Sequence, residues 1–255
     1  MELTKEDIKI LNSNIGLKHL LARKKIDLAK VLEEVRFELT LREIQAELVR
    51  MQLWIIENNK KLMVLFHGGD SSEKSGIIRK ILSHNNPRHY RVEVNLPHRS
   101  KDLQGEWYFK KFVEKLPQGG EMVFWDRSWY NRAIIEPVHG LCSKDEYEQF
   151  MGQVNEFESM LTEAGITLVK FYFNISKKEQ AKRLKEIKSS HLTKWKMTPL
   201  DEMSEGLWEE YQKHKEIMVA KTHTAHAPWI EIKKERREEE LITAARHILS
   251  LMPYK

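Results

Sequence analysis

Residues 61–76 read K-L-M-V-L-F-H-G-G-D-S-S-E-K-S-G. An apolar run, a glycine-rich turn and a Lys-Ser pair have the layout of a phosphate-binding loop, G-x-x-x-x-G-K-S/T. Counted from Gly68, the pattern fits at Lys74 and Ser75 and fails at Glu73, where a glycine is expected. In such a loop, backbone N–H groups at the helix start hold anionic oxygens. Lys74 stands at the interval that reaches terminal phosphates, Ser75 offers a hydroxyl to Mg2+, and Asp70 offers a carboxylate. A second run, V-F-W-D-R-S-W-Y-N-R at 123–132, ends an apolar stretch on Asp126. A strand-end carboxylate is where a phosphate-loop enzyme holds its Mg2+. Arg127 beside it suits a phosphoryl oxygen or transition-state charge. Taken singly, each run also fits a blander role, a strand-turn-helix joint or an Asp cap beside a surface Arg. The segment 182–196 is basic with polar breaks. It fits a lid over a phosphate site and equally a solvated helix face.

The elements that must position these groups follow from periodicity. Residues 1–58 read as helical, with Thr4 and Asp7 spaced as an N-cap and its partner. Leu41, Ile44, Leu48, Met51 and Ile55 form one apolar helix face. From residue 61 strands and helices alternate. Strands are expected at 62–66, 90–96, 121–125, 166–173 and 229–232. Helices are expected at 77–82, 106–115, 145–163, 177–188, 201–220 and 238–251. Such alternation implies a parallel sheet covered on both faces, an α/β fold. Ligands then sit beyond the carboxyl ends of the strands, where the loop after 66 and Asp126 should meet. The expected division is a helical N-terminal extension, 1–58, and an α/β domain, 59–255, with a lid near 182–200.

The gross numbers are compatible with this. The chain has 255 residues, 32% of them charged, and a formal net charge of +5. That length suits one α/β domain with a helical extension. The positive residues are clustered, so local fields matter more than the total. Cys142 is the single cysteine, which excludes an intramolecular disulfide and points to a cytoplasmic home. No signal-peptide pattern opens the chain. No apolar run approaches the about 18 residues of a membrane span. The eleven histidines form no zinc-ligand pattern. The aromatic-basic stretch 106–115 could stack nucleic-acid bases, but its helical spacing is explained by packing, and no nucleic-acid-binding motif accompanies it.

The run G-G-E-M-V-F-W-D-R-S-W-Y-N-R-A-I-I-E-P-V at 119–138 resembles the family-2 polyphosphate kinases, most closely the single-domain class acting on nucleoside diphosphates. N-P-R at 86–88, W-Y-F at 107–109, F-E-x-M-L at 157–161, W-K-x-x-P-x-D at 195–201 and A-P-W at 227–229 look like that family in the same order. The resemblance spans about residues 30–250. It implies a P-loop kinase-like three-layer sandwich and a homo-oligomer, dimer or tetramer. It also implies Mg2+-dependent, reversible phosphoryl transfer between inorganic polyphosphate and ADP or GDP. Carried over by position, Asp70 and Asp126 would handle Mg2+ and nucleotide phosphates. Lys74, Arg127 and the lid residue Arg183 would grip the transferring group. Gly68, Gly69, Ser75 and Gly76 would form the phosphate cradle, with Asn131, Arg132 and Glu136 supporting the nucleotide site. Phosphoryl transfer needs positioning and charge neutralisation, which these residue types supply.

The chain departs from the family pattern chiefly in the loop. The family's G-R-D-A-A-G-K-G-G is here G-G-D-S-S-E-K-S-G at 68–76. The family's L-P-K-P-S is Leu96-Pro97-His98-Arg99-Ser100, a second lid Arg is Ile187, and the lid's Pro and Lys are His191 and Thr193. The acidic-Lys stretch after the fifth strand is Lys233-Lys234-Glu235-Arg236. An active kinase is favoured by the retained Asp70, Lys74, Asp126, Arg127 and Arg183. A binding relative with weak or no transfer is favoured by the lost glycines and lid cations. An ordinary ATP-dependent small-molecule kinase fits the loop alone, and the D-R-S-W-Y-N-R run counts against it. Glu73 adds a Cβ and a negative charge where glycine permits close phosphate approach. Glu73→Gly is therefore expected to raise kcat/KM for polyphosphate in a steady-state assay; an unchanged or lower value counts against this reading.

Overall fold

A computed structural model describes residues 3–22, 27–68, 74–97, 105–189, 206–233 and 236–254. Among the described residues the N-terminal region is helical as expected, in α1 (Lys5–Leu11), α2 (Asn14–Leu21) and α3 (Leu28–Glu57). The breaks are set by caps. Thr4 and Asp7 form the reciprocal capping box that opens α1, Ser13 accepts from the Gly16 N–H, and Asp27 accepts from the N–H groups of Ala29 and Lys30. The apolar positions of α3 continue straight onto the sheet.

Five strands follow: β1 (Lys61–Gly68), β2 (Tyr90–Val94), β3 (Glu121–Asp126), β4 (Ile166–Phe173) and β5 (Trp229–Ile232). All pairings are parallel, in the order β2-β3-β1-β4-β5. The remaining helices are α4 (Lys74–Leu82), α5 (Lys110–Val113), α6 (Ile135–Val138), α7 (Lys144–Glu163), α8 (Lys177–Ser189), α9 (Trp208–Thr222) and α10 (Arg237–Ser250). The three central strands are apolar on both faces, as a covered parallel sheet requires. Leu62, Val64 and Phe66 of β1 pack towards Ile44, Leu48, Met51 and Ile55 of α3, with α4 and α10. Met63 and Leu65 pack on the other side towards α7 and α9. Helix, sheet and helix thus form the expected three layers. A small third cluster, Leu11, Val31, Leu32 and Val35, holds the first helices to α3.

Two expected helices are shorter than their patterns. The stretch 106–115 contains only the four residues of α5. Its rings serve different neighbours: Phe109 lies 4.2 Å from Phe157 between ring centroids, and Phe112 lies 5.3 Å from Trp125. The helix expected at 201–220 runs over Trp208–Thr222, and residues 201–205 lie outside the described residues. Most of the expected lid, 190–200, also lies outside them.

Among the described residues, two ion pairs have both side chains wholly buried. Lys170 on β4 and Glu158 on α7 are 2.6 Å apart and wholly buried. Burial pushes the Glu158 carboxyl up and the Lys170 amine down, and each partner's charge opposes the shift. The pair is completed by hydrogen bonds from Trp129 Nε1 to Glu158 and from Lys170 to Tyr130 Oη and the Thr222 carbonyl.

The second pair involves Arg183, expected at the lid. It lies in α8 with its side chain wholly buried, donating to Glu179 at 2.9 Å and to both carboxylate oxygens of Glu240 on α10 at 3.2 and 3.3 Å. Burial opposes the charge, but the Glu179 hydrogen bond and the Glu240 charge hold the guanidinium above its usual pKa. As placed here, it ties α8 to α10 rather than standing in solvent. Breaking a buried pair leaves an uncompensated charge. Arg183→Met should therefore lower folding stability by about 3–5 kcal/mol in urea titration, with Glu240→Gln in the same chain recovering part of the loss.

Candidate active site

The parallel pairing of β1 with β3 sets the site. Phe66 is in register with Asp126, and the Arg127 N–H donates to the Phe66 carbonyl at 3.0 Å. The two strands therefore end side by side, and their following residues, Gly68 and Arg127, emerge on the same edge. Gly68 has φ 148°, a backbone that L side chains rarely adopt, so glycine is required there. Gly69, Asp70 and the rest of the loop to Glu73 lie outside the described residues. The chain re-enters at Lys74, the first residue of α4, which is 4% exposed. Ser75 is exposed and Gly76 is buried.

Asp126 is half-buried at the tip of β3. Its carbonyl accepts from the Asn95 N–H. Arg127 follows with φ 63° and is largely buried. A non-glycine residue in this region costs about 1–2 kcal/mol, and such strain gathers where a side chain must be aimed. Among the described residues no three His, Cys, Asp or Glu side chains cluster as a metal cage. A lone strand-end carboxylate still fits Mg2+, which binds through one or two carboxylates, waters and substrate phosphates.

Asn131, Arg132 and Glu136 lie behind this turn. All three are buried. Arg132 pairs with Glu136 one helical turn on and stacks over the Tyr108 ring at 4.2 Å. Burial raises the Glu136 carboxyl, opposed by the charges of Arg132 and Lys111. Tyr108 Oη donates to the Trp129 carbonyl at 2.8 Å. The Asn131 amide donates to the Asn95 carbonyl at 2.8 Å. These residues brace the turn from within; Arg183 is buried against α10.

Three participants carry no motif. His67, the residue before Gly68, is 3% exposed and accepts from the Ser128 N–H at 2.9 Å. Its pKa is held well below the usual range by burial first, then by the charges of Lys74, Arg127 and Lys170. The charges of Lys74, Arg127 and Lys170 thus all reach this ring. Asn95, just past β2, donates to the Ser128 carbonyl at 2.7 Å. Lys111 of α5 donates to Asn95 Oδ1 at 3.1 Å, and burial lowers its pKa. The one sequence signal for these residues was position: His67 and Asn95 each lie at a strand end.

Cations beside a strand-end carboxylate, after a strand-turn-helix joint, are suited to a phosphoryl group and its metal. The sequence model for polyphosphate kinase 2 matches residues 31–255. The chain is 38% identical over 247 residues to an ADP-polyphosphate phosphotransferase of Pseudomonas aeruginosa, covering 97% of this chain and 81% of that one. It is 41% identical over 222 residues to NDP-polyphosphate phosphotransferase 1 of Ruegeria pomeroyi, covering 87% and 72%. The crystal structure of polyphosphate kinase 2 from Arthrobacter aurescens TC1 superposes with a TM-score of 0.77 at 24% identity, over 84% of this chain and 78% of that one, which is a likeness of fold. With the family's pattern running through α3, the whole sheet and α10, this chain belongs to the polyphosphate kinase 2 family.

Proposed function

We propose that the site performs reversible transfer of a terminal phosphoryl group between inorganic polyphosphate and ADP or GDP. The observation that carries this is the junction of Asp126 and Arg127 with the β1 end and Lys74, in a chain whose relatives are named for that transfer. Asp126, with Asp70, would hold Mg2+, which would supply charge neutralisation at the phosphates. Lys74 and Arg127 supply fixed positive charge at the transferring group, in a wall that is already dry. Gly68, Gly69, Ser75 and Gly76 bring backbone N–H groups to the phosphates. Asn131, Arg132 and Glu136 act as the brace of the turn rather than as direct phosphate ligands. The alternative of a binding-only relative is favoured only by the altered loop and lid residues.

The same reading takes the enzyme as a cytoplasmic homo-oligomer. A single cysteine suits a reducing compartment. Among the described residues no helix is long and apolar enough to cross a membrane. Self-association is supported by the edge strand β2, whose Val92 and Val94, with Leu96 beyond, are exposed apolar side chains. The transfer is tested by ATP formation from ADP, polyphosphate and Mg2+. ATP should accumulate with the parent enzyme and fall by about 10²-fold or more with Asp126→Asn, which keeps the shape and removes the charge. No ATP above background from folded protein would sink the proposal.

A further inference from the structure

Three strand ends meet at one residue, Ser128. Its N–H donates to His67 Nε2 at 2.9 Å, and its hydroxyl lies 2.8 Å from the same nitrogen. Its carbonyl accepts from Asn95 Nδ2 at 2.7 Å. Ser128 is wholly buried. It is thus gripped on one side from the end of β1 and on the other from the end of β2, while itself following β3.

The grips are themselves fixed. His67 is met edge-on by the rings of Tyr130 and Trp229, with centroids 5.9 and 6.0 Å away. A backbone N–H can only donate, so Nε2 must present its lone pair; the ring is neutral with its proton on Nδ1. Burial and the nearby charges of Lys74, Arg127 and Lys170 favour that neutral form. Asn95 is held at three points. Its carbonyl accepts from Asn131 Nδ2, its Oδ1 accepts from Lys111 Nζ, and its N–H donates to the Asp126 carbonyl.

Arg127 is the residue between the Asp126 carbonyl and the Ser128 N–H, with φ 63°. Left to itself, an arginine does not favour that backbone. Fixing the groups on both sides of it leaves the chain no relaxed alternative. We infer that His67 and Asn95 are positioning residues, which grip Ser128 and so hold Arg127 in the left-handed conformation that aims it at the transferring phosphoryl group. Neither touches substrate. The inference rests on the reading of Arg127 as a group that acts on that phosphoryl.

The test compares His67→Leu, which removes the acceptor, with His67→Gln, whose amide oxygen can replace Nε2, and with Asn95→Ala, which releases the other side. Thermal unfolding of each variant first establishes that it folds. In the polyphosphate-to-ADP assay, His67→Leu and Asn95→Ala should each lower kcat by about tenfold or more, with KM for ADP changed less than about threefold. His67→Gln should recover kcat to within about threefold of the parent. In an Arg127→Lys background, His67→Leu should cost less than about twofold further, because coupled residues are not additive. Amide exchange at Ser128 should be slow in the parent and His67→Gln and at least about tenfold faster in His67→Leu. Losses that multiply in full with Arg127→Lys would overturn the inference. So would His67→Leu and Asn95→Ala both within twofold of the parent, or a Ser128 amide that exchanges equally in all. If the parent itself makes no ATP, the phosphotransfer reading fails, and the exchange measurement alone decides whether the grip exists.

Discussion

The register between β1 and β3 is the constraint on which the site depends. Side chains along a strand alternate between faces, so a slip of one residue would exchange Phe66 with His67 and turn every buried side chain of β1 the wrong way. Phe66 belongs to the layer under α3, α4 and α10, and His67 meets Tyr130 and Trp229 on the opposite face. With both faces dry, there is one pairing that buries all of the apolar set. That pairing sets Phe66 opposite Asp126 and brings the segments that follow β1 and β3 to a common edge. The chemistry is placed by hydrophobic burial some distance from any substrate.

Charge is distributed in the same economy of space. Beneath the strand ends lie a buried Lys170–Glu158 pair and a buried Arg132–Glu136 pair. Each lies against aromatic residues: Trp129 and Tyr130 hydrogen-bond the first pair, and Tyr108 meets the second. In a medium of low effective dielectric, such pairs are costly to form and still costlier to break. Their gain is orientation: Trp129 and Tyr130 are locked, and with them the turn that carries Arg127. Lys74 opens α4 and Arg127 follows β3, both at the strand-end edge.

The loop shows how family membership and local divergence coexist. The pattern of polyphosphate kinase 2 runs through residues 31–255, although the glycine cradle is altered at Gly69, Glu73 and Ser75. Fold identity is written across strands and helices with many apolar positions, so a few changes in one loop do not disturb it.

Much of this was legible in the sequence. Apolar runs ended by glycine, proline or aspartate marked β1, β2 and β3, and β4 and β5 fall at the limits expected of their β-rich runs. Asp126, Arg127 and Lys74 were visible because their chemistry is tied to strand ends and helix starts. What the sequence left open was set by contacts between distant segments. Ser13 and Asp27 divided the N-terminal helical region because caps outbid a continuous apolar face. Arg183 looked like a lid cation, and only the approach of α10 showed Glu240 closing on it. His67 and Asn95 are ordinary polar residues in one dimension. They acquire a role because β1, β2 and β3 end together and Ser128 lies between them. The sequence by itself determined which elements form and which chemical groups stand at their ends. The tertiary structure decided which of those groups meet, because hydrogen bonds of about 3 Å between residues some 30 to 60 positions apart exist only once the sheet has fixed its register.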